Sequence, residues 1–246
     1  MSAGQTPAPV APRERAAAVR GMFGAIAPRY DLLNHLLSLN VDRLWRRRAV
    51  ARLVADGRGE GLFLDACAGT LDLALALARR RGFHGRIIAS DFSLPMLERG
   101  APKVAGAPVS VICGDTLRLP FADGTFDGAM VGFGVRNLAD LDAGLRELAR
   151  VLKPGARLAV LEFTTPSWRP LRALYLTYFR RLLPWVGRII SRHRSAYTYL
   201  PASVLAFPQP AELAARLESA GFTAVRWERW TGGIAALHLA ERGGGP

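Results

Sequence analysis

Residues 64–78, "LDACAGTLDLALALA", set Asp65, Gly69, Thr70 and Asp72 around a tight turn that follows a short apolar run. Gly69 permits the turn, and a helix starting beyond it would open with unpaired N–H groups. Asp91 lies 22 residues after Gly69, the separation at which an acidic side chain meets ribose hydroxyls in dinucleotide folds. Asp115 and Thr116 follow a third apolar run, where a carboxylate or backbone N–H can address an adenine edge. The second and third glycines of a G-x-G-x-x-G loop are absent, so a pyrophosphate has no cradle. A cofactor with ribose but no phosphate fits better, and S-adenosylmethionine meets that description. Taken singly, an aspartate at a strand end is often only a helix cap; the ordered set is what carries the reading.

These residues need a scaffold that brings several strand ends together. From residue 61 onward short apolar strands alternate with amphipathic helices: "GLFLDAC", "GRIIASD", "APVSVICGD", "FDGAMVGFG" and "RLAVLEFT" read as strands. The helix "ADLDAGLRELARVLKPG" is expected to end at Gly155, and later "PAELAARLESAG" precedes strands near "AVRWERW" and "GIAALHLA". Such alternation predicts an α/β fold, a Rossmann-like doubly wound, mostly parallel sheet with right-handed crossovers. Residues 14–55 read as an N-terminal helical cap, with Met22, Phe23, Ile26 and then Leu32, Leu33, Leu36 and Leu37 at helical spacing and Pro28 breaking the pattern. "RLWRRR", Arg43 to Arg48, is expected to be a solvated helix face. A helical insertion, 166–209, follows strand five. The whole reads as one domain, 14–240, between a disordered lead, 1–13, and a polar tail, 241–246.

Composition narrows the classes. The chain has 246 residues, of which 50% are apolar and 22% charged, enough for a sizeable core. Cys67 and Cys113 are its only cysteines, which argues against a disulfide framework and suits a reducing cytoplasm. The formal net charge is +13, nearly all from arginine, and favours anionic partners such as phosphates, nucleic acid or an anionic bilayer. RNA binders interleave basic residues with stacking aromatics or append a recognition module; neither is visible, so no nucleic-acid partner is expected. The N-terminus has no apolar core of a signal peptide, and no run is long and apolar enough for a transmembrane helix. His35, His84, His193 and His238 lack metal-ligand spacing, so no metal is expected.

Longer blocks carry a resemblance. "FGAIAPRYDLLNHLLSLNVDRLWRR", "LPFADGTFDGAMVGFGVRNLADLDAGLRELARVLKPGARLAVLEF", "YTYLPASVLAFP" and "TGGIAALH" resemble signatures of the ubiquinone/menaquinone biosynthesis C-methyltransferases, and the similarity runs from about residue 19 to 240. The resemblance implies a class I S-adenosylmethionine methyltransferase that methylates a ring carbon of a polyprenylated quinol. It implies cofactor contacts at Thr70, Asp91, Asp115, Thr116 and Gly132, the last through backbone only because serine is frequent there in the family; the residue pattern of the turn adds Asp65, Gly69 and Asp72 to the expected cofactor-binding set.

Methylation of a ring carbon needs the neighbouring phenol deprotonated or strongly hydrogen-bonded. Arg136 and Asn137, beyond strand four, are expected to act there, Arg136 by stabilising phenolate and Asn137 by positioning the hydroxyl or a water. Tyr30, Asp31, Tyr197 and Tyr199 are expected to close the pocket, with Asp31 a candidate base. A quinol with an isoprenoid tail lives in the bilayer. The 171–190 stretch, with Arg172, Arg180, Arg181 and Arg188 among its apolar and aromatic residues, fits a lid or an interfacial helix docked peripherally on the inner face of the membrane. A homodimer is left open. Leu71 is a departure, because the family's turn has glycine there. If φ is positive at this position leucine costs roughly 1–2 kcal/mol, and a side chain pointing into the pocket would leave an impaired or accessory homologue.

Overall fold

The computed structural model describes residues 12–38, 40–178 and 194–244. Residues 1–11 of the expected lead, and residues 179–193 with Pro184, Arg180, Arg181, Arg188 and His193, lie outside the described residues, as do Gly245 and Pro246 and the side chains of Leu32, Leu33, His35, Leu36, Leu37 and Tyr197.

Two helices, α1 (Pro12–Leu37) and α2 (Val41–Leu53), precede the sheet. The alternation then runs β1 (Leu62–Ala66), α3 (Asp72–Ala78), β2 (Arg86–Asp91), α4 (Leu94–Gly100), β3 (Val109–Cys113), β4 (Phe126–Gly132), α5 (Leu141–Val151) and β5 (Leu152–Phe163). After β5 come α6 (Arg169–Thr177), α7 (Arg194–Ala206), α8 (Pro210–Ser219), β6 (Phe222–Trp230) and β7 (Ala235–Arg242). The sheet order is β3-β2-β1-β4-β5-β7-β6, parallel from β3 to β5 and antiparallel where β7 meets β5 and β6. The chain winds outward from β1 in both directions, so a crevice opens where β1 and β4 diverge at their carboxyl ends.

Both faces of the sheet are covered. One core joins Trp45, Ala49 and Leu53 of α2 to Leu73 and Leu77 of α3; the other joins Leu145 and Leu148 of α5 to Leu213 and Leu217 of α8. A smaller apolar cluster, with Tyr175, Val204, Met22 and Ile26, ties α6, α7 and α1 together above the crevice.

Three expectations are revised. Pro28 lies inside one continuous helix rather than breaking it, because a proline removes a single backbone donor and α1 still buries Val19 and Ala27 on either side of Gly24. Helix α5 stops at Val151, not Gly155: Leu152 already pairs with Phe126, since the residue before Pro154 favours extended backbone. The last strand takes in Glu241 and Arg242, two residues of the expected tail, which pair across β6 with Thr223 and Phe222.

Candidate active site

The carboxyl ends of β1, β2, β3 and β4 converge on a cleft open at its mouth, the place where ligands sit in open α/β sheets. Its floor is the turn after β1. The Ala68 N–H donates to the Ser90 carbonyl at 3.0 Å, and the Gly69 N–H donates to Asp91 Oδ2 at 2.8 Å. The other Asp91 oxygen accepts from the Ser93 N–H at 2.8 Å. Asp91 is thus held by two backbone donors, and burial pushes its carboxyl above the ordinary range. Asp91 lines the cleft, and a carboxylate has acceptor capacity beyond two such bonds.

Asp65 combines both roles that its position allows. Oδ2 caps α3 by accepting from the Ala74 N–H at 2.9 Å, while Oδ1 is buried with no hydrogen-bond partner among the described residues. Burial raises this carboxyl to about 8. An orphaned carboxyl oxygen on the wall of a cleft becomes, once its proton is displaced, an acceptor for a cationic or N–H group. With Asp91 at the next strand end, the residues present fit the amino-acid and ribose portions of S-adenosylmethionine.

On the β2 and β3 side, Phe92, Met96 and Leu117 supply apolar walls for a planar base, beside Asp115 and Thr116. Sequence reasoning passed over all three apolar residues. Phe92, directly after Asp91, carried the one local signal. Asp115 sits exposed at the rim and accepts from the Leu117 N–H at 3.0 Å, whereas Thr116 is buried with its hydroxyl 3.4 Å from Cys67 Sγ. Gly132 also lines the cleft, and a Cβ there would stand 3.0 Å from Leu73 Cδ2.

The N-terminal cap is fastened over the turn by charge. Lys103 lies 2.6 Å from Asp31 and 2.7 Å from Asp72, and the Thr70 hydroxyl donates to Asp31 at 2.5 Å. Thr70, Asp72 and Tyr30 line the cleft, but Asp31 is engaged by Lys103 and Thr70 behind it. We therefore assign Asp31 to strapping α1 onto the turn rather than to proton abstraction.

Arg136 is likewise redirected. Its guanidinium is buried, donates to the Phe133 carbonyl, and pairs with Glu162 Oε1 at 2.8 Å. It sits 5.5 Å from the centre of the Phe163 ring and is not part of the cleft wall. Glu162 also accepts from the Phe163 N–H at 2.9 Å; burial pushes its carboxyl up and Arg136 pulls it back. Direct contact between Arg136 and a phenolate is thus replaced by a role in holding the turn after β4. Asn137, on that turn, does line the cleft, and its Oδ1 accepts from the Tyr199 hydroxyl at 3.0 Å. Asn137 and Tyr199, 62 residues apart, are brought together by this hydrogen bond, and of the two only Asn137 lines the cleft.

The basic run of α2 divides. Arg43, Arg47 and Arg48 are exposed, but Arg46 is 8% exposed and lines the cleft. The available signal was its register with Asp42, Trp45, Ala49 and Val50, which form the buried stripe of α2. Leu71 has φ +67°, so the expected backbone cost is present. Its side chain, however, is fully buried in the core with Leu73 and Leu77 and forms no part of the cleft wall. The positive φ aims the leucine away from the ligand space.

A sequence model described as the ubiE/COQ5 methyltransferase family matches residues 11–242. The chain is 47% identical to the demethylmenaquinone methyltransferase of Thermus thermophilus, over 90% of this chain and 100% of that one. It is 45% identical to that of Mycolicibacterium vanbaalenii (91% of this chain, 94% of that one). With the ubiquinone/menaquinone biosynthesis C-methyltransferase UbiE of Geobacter sulfurreducens it shares 43% identity, over 94% of this chain and 90% of that one. Among solved structures, the [4+2]-cyclase SpnF superposes with a TM-score of 0.68 at 20% identity, covering 98% of this chain and 100% of that one. A S-adenosylmethionine-dependent methyltransferase of Thermotoga maritima, described as a possible histamine N-methyltransferase, superposes with a TM-score of 0.66 at 19% identity, covering 91% and 99%. At those identities the likeness speaks to the fold.

Proposed function

The chain belongs to the ubiE/COQ5 methyltransferase family, and we propose that this S-adenosylmethionine-dependent methyltransferase methylates a ring carbon of a polyprenylated naphthoquinol in respiratory quinone synthesis. The observation that carries the cofactor half is the pairing of Asp65, with its orphaned Oδ1, and Asp91, with two backbone donors, at neighbouring strand ends. The names of relatives 45–47% identical support the naphthoquinol ring.

Asp91 would hold the ribose hydroxyls, Phe92, Met96 and Leu117 the faces of the base, and Asp65 the amino-acid end. When bound, the cofactor supplies an electrophilic methyl carbon on a sulfonium, and one ring C–H of the quinol becomes C–CH3 with loss of its proton. The protein's part is to orient the ring, exclude water and enrich the ring in electrons. Asn137 on the cleft wall, with Tyr199 hydrogen-bonded to it, is suited to a quinol hydroxyl: the amide oxygen would accept a hydrogen bond from that hydroxyl, which polarises the O–H and moves electron density into the ring. Arg136 and Glu162 hold Asn137 in place from beneath.

The lipid tail directs attention to α6. Trp168 and Leu174 are 66% and 67% exposed, and Arg169 and Arg172 are exposed beside them. Apolar and cationic residues on one short helix suit the headgroup region of an anionic bilayer. No helix of the described residues is long and apolar enough to cross a membrane, so contact from the cytoplasmic surface is the mode proposed.

The test is to incubate the full chain with S-adenosylmethionine and a reduced short-chain demethylnaphthoquinol, and to follow ring methylation by mass spectrometry. A methylated ring with matching S-adenosylhomocysteine is expected. Binding of S-adenosylmethionine without methylation of either naphthoquinol or benzoquinol would overturn the substrate assignment.

A further inference from the structure

Helix α2 sends one arginine into the cleft. Arg46 carries a side chain only 10% exposed, in a salt bridge of 3.2 Å from Nη1 to Asp42 Oδ2. Asp42 is itself engaged by Ser38, whose hydroxyl donates to Oδ1 at 2.7 Å. The guanidinium lies 5.2 Å from the centre of the Phe133 ring, which fixes its plane. Among the described residues Nε and Nη2 of Arg46 have no hydrogen-bond partner, and the residue lines the cleft. A guanidinium has five donors in a fixed fork, so most of this one's capacity is uncommitted among the described residues.

Its location within the cleft is specific. The strand order places Asp91 and Phe92 at the end of β2 and Asp115 and Thr116 beyond β3, on one side of β1. Gly132 and Phe133 lie at the end of β4, on the other side, and Arg46 stands over Phe133 and acts electrostatically on Asp65. The cleft is therefore divided. One half offers a carboxylate to hydroxyls and apolar walls to a base; the other offers an acceptor, Asp65 Oδ1, and a cation with uncommitted donors, Arg46.

We infer that Arg46 and Asp65 together form a receptor for an α-amino acid zwitterion, with Arg46 taking the α-carboxylate of the cofactor and Asp65 its α-ammonium. The inference rests on the cofactor reading above and adds to it the residue that discriminates the whole amino-acid moiety from adenosine-bearing molecules that lack it. A buried guanidinium in this half of the cleft is unhelpful to a sulfonium unless an anion stands between them, and the α-carboxylate is the one anion such a ligand carries. Asp42 serves as a positioning residue, because its ion pair with Nη1 anchors the guanidinium at the cleft and leaves Nε and Nη2 uncommitted.

The experiment compares calorimetric affinities of the full chain for S-adenosylmethionine and for decarboxylated S-adenosylmethionine, which differs only in lacking the carboxylate. A charge-assisted contact predicts that wild type prefers the carboxylate-bearing ligand roughly 10- to 100-fold. In Arg46→Gln that preference collapses while the affinity for the decarboxylated ligand stays within about threefold, since two ligands and two proteins form a double cycle. Arg46→Lys, which keeps the charge, retains part of the preference. Equal affinity of wild type for both ligands overturns the proposal, and so does equal loss of both ligands in Arg46→Gln. If Arg46→Gln fails to fold, the wild-type ratio and Arg46→Lys decide. Wild type that binds neither ligand overturns the cofactor reading itself, a result distinct from the others.

Discussion

A Cβ placed on Gly100 would stand 2.6 Å from Leu71 Cγ and 2.7 Å from the Thr70 carbonyl carbon: the last residue of α4 is bare because Leu71 fills that space. The leucine that replaces a turn glycine and the glycine at the end of α4 are two halves of one packing solution. Leu71→Gly relieves a left-handed backbone worth roughly 1–2 kcal/mol but empties a fully buried site, where deletion of a leucine costs about 2–5 kcal/mol. The variant is expected to lose about 1–4 kcal/mol of stability in denaturant unfolding with S-adenosylmethionine affinity nearly unchanged. Tighter binding by the glycine variant would mean that Leu71 does obstruct the cleft.

Gly100→Ala supplies the reciprocal test. Overpacking against Leu71 and Thr70 should cost about 1–3 kcal/mol. In the Leu71→Ala background part of that cost should vanish, because the Cγ it strikes is gone; the Thr70 backbone keeps the rescue incomplete. Additive losses would separate the two residues.

Arg136 and Glu162 form a buried pair 2.8 Å apart. Removing Glu162 alone, by Glu162→Leu, leaves an uncompensated buried cation and is expected to cost about 3–5 kcal/mol. The joint change Arg136→Met with Glu162→Leu should recover much of it, as apolar replacements of buried pairs commonly do. Denaturant midpoints of wild type and the two variants read the difference; a double variant no better than the single one would refute the pairing as the main role.

Tyr199→Phe removes the hydroxyl that donates to Asn137 Oδ1 at 3.0 Å. Loss of one hydrogen bond of about 1 kcal/mol predicts a roughly fivefold weaker kcat/KM for the quinol, with cofactor affinity unaltered. Unchanged kinetics would take this pair out of the substrate site.

Asp65 has its carboxyl raised to about 8 by burial, with Arg46 opposing and the charges of Asp91 and Asp72 adding to the shift. Near pH 7 the free protein thus holds a proton on Asp65 that a bound cation would displace. Cofactor binding should release up to about one proton at pH 7, fading as pH rises past 8, with affinity rising over the same interval. Calorimetry in buffers of different ionisation enthalpy measures the release, and Asp65→Asn should abolish it. Release that persists in Asp65→Asn would assign the proton elsewhere.

His238 is buried, its Nε2 2.8 Å from the Pro210 carbonyl, and burial lowers it from 6.5 to about 4. Between those values the unfolded chain binds more protons, so this residue's stability is complete above 6.5 and declines as the pH falls toward 4. His238→Gln, which retains a donor, should remove about 2 kcal/mol of the wild-type loss between neutral pH and pH 5. Parallel stability curves for the two proteins would contradict it.

The elements of the sheet were legible because their signal is local: β1, β2 and β4 are short apolar runs, and a period of two or 3.6 residues is written into adjacent positions. That Asp65, Gly69, Asp91, Asp115 and Thr116 gather around one cleft was legible for a related reason, since each lies at or just beyond a strand end and parallel topology forces strand ends together. Side-chain direction was not. Arg46 and Arg47 are neighbours in one basic run, yet one is buried at the cleft and the other exposed, and only the register of α2 against the sheet separates them.

By itself, then, the sequence determined the fold class, the strand ends that must meet, and through its long matching blocks the family. The tertiary structure decided what each charged or bulky side chain does once there. It strapped Asp31 to Lys103, buried Arg136 on Glu162 and packed Leu71 against Gly100. The partners in these contacts lie 72, 26 and 29 positions apart, beyond the reach of any local pattern. Which partner a buried charge finds is set by the cost of leaving it unpaired in a packed interior, and that cost is defined only after the elements have closed around it.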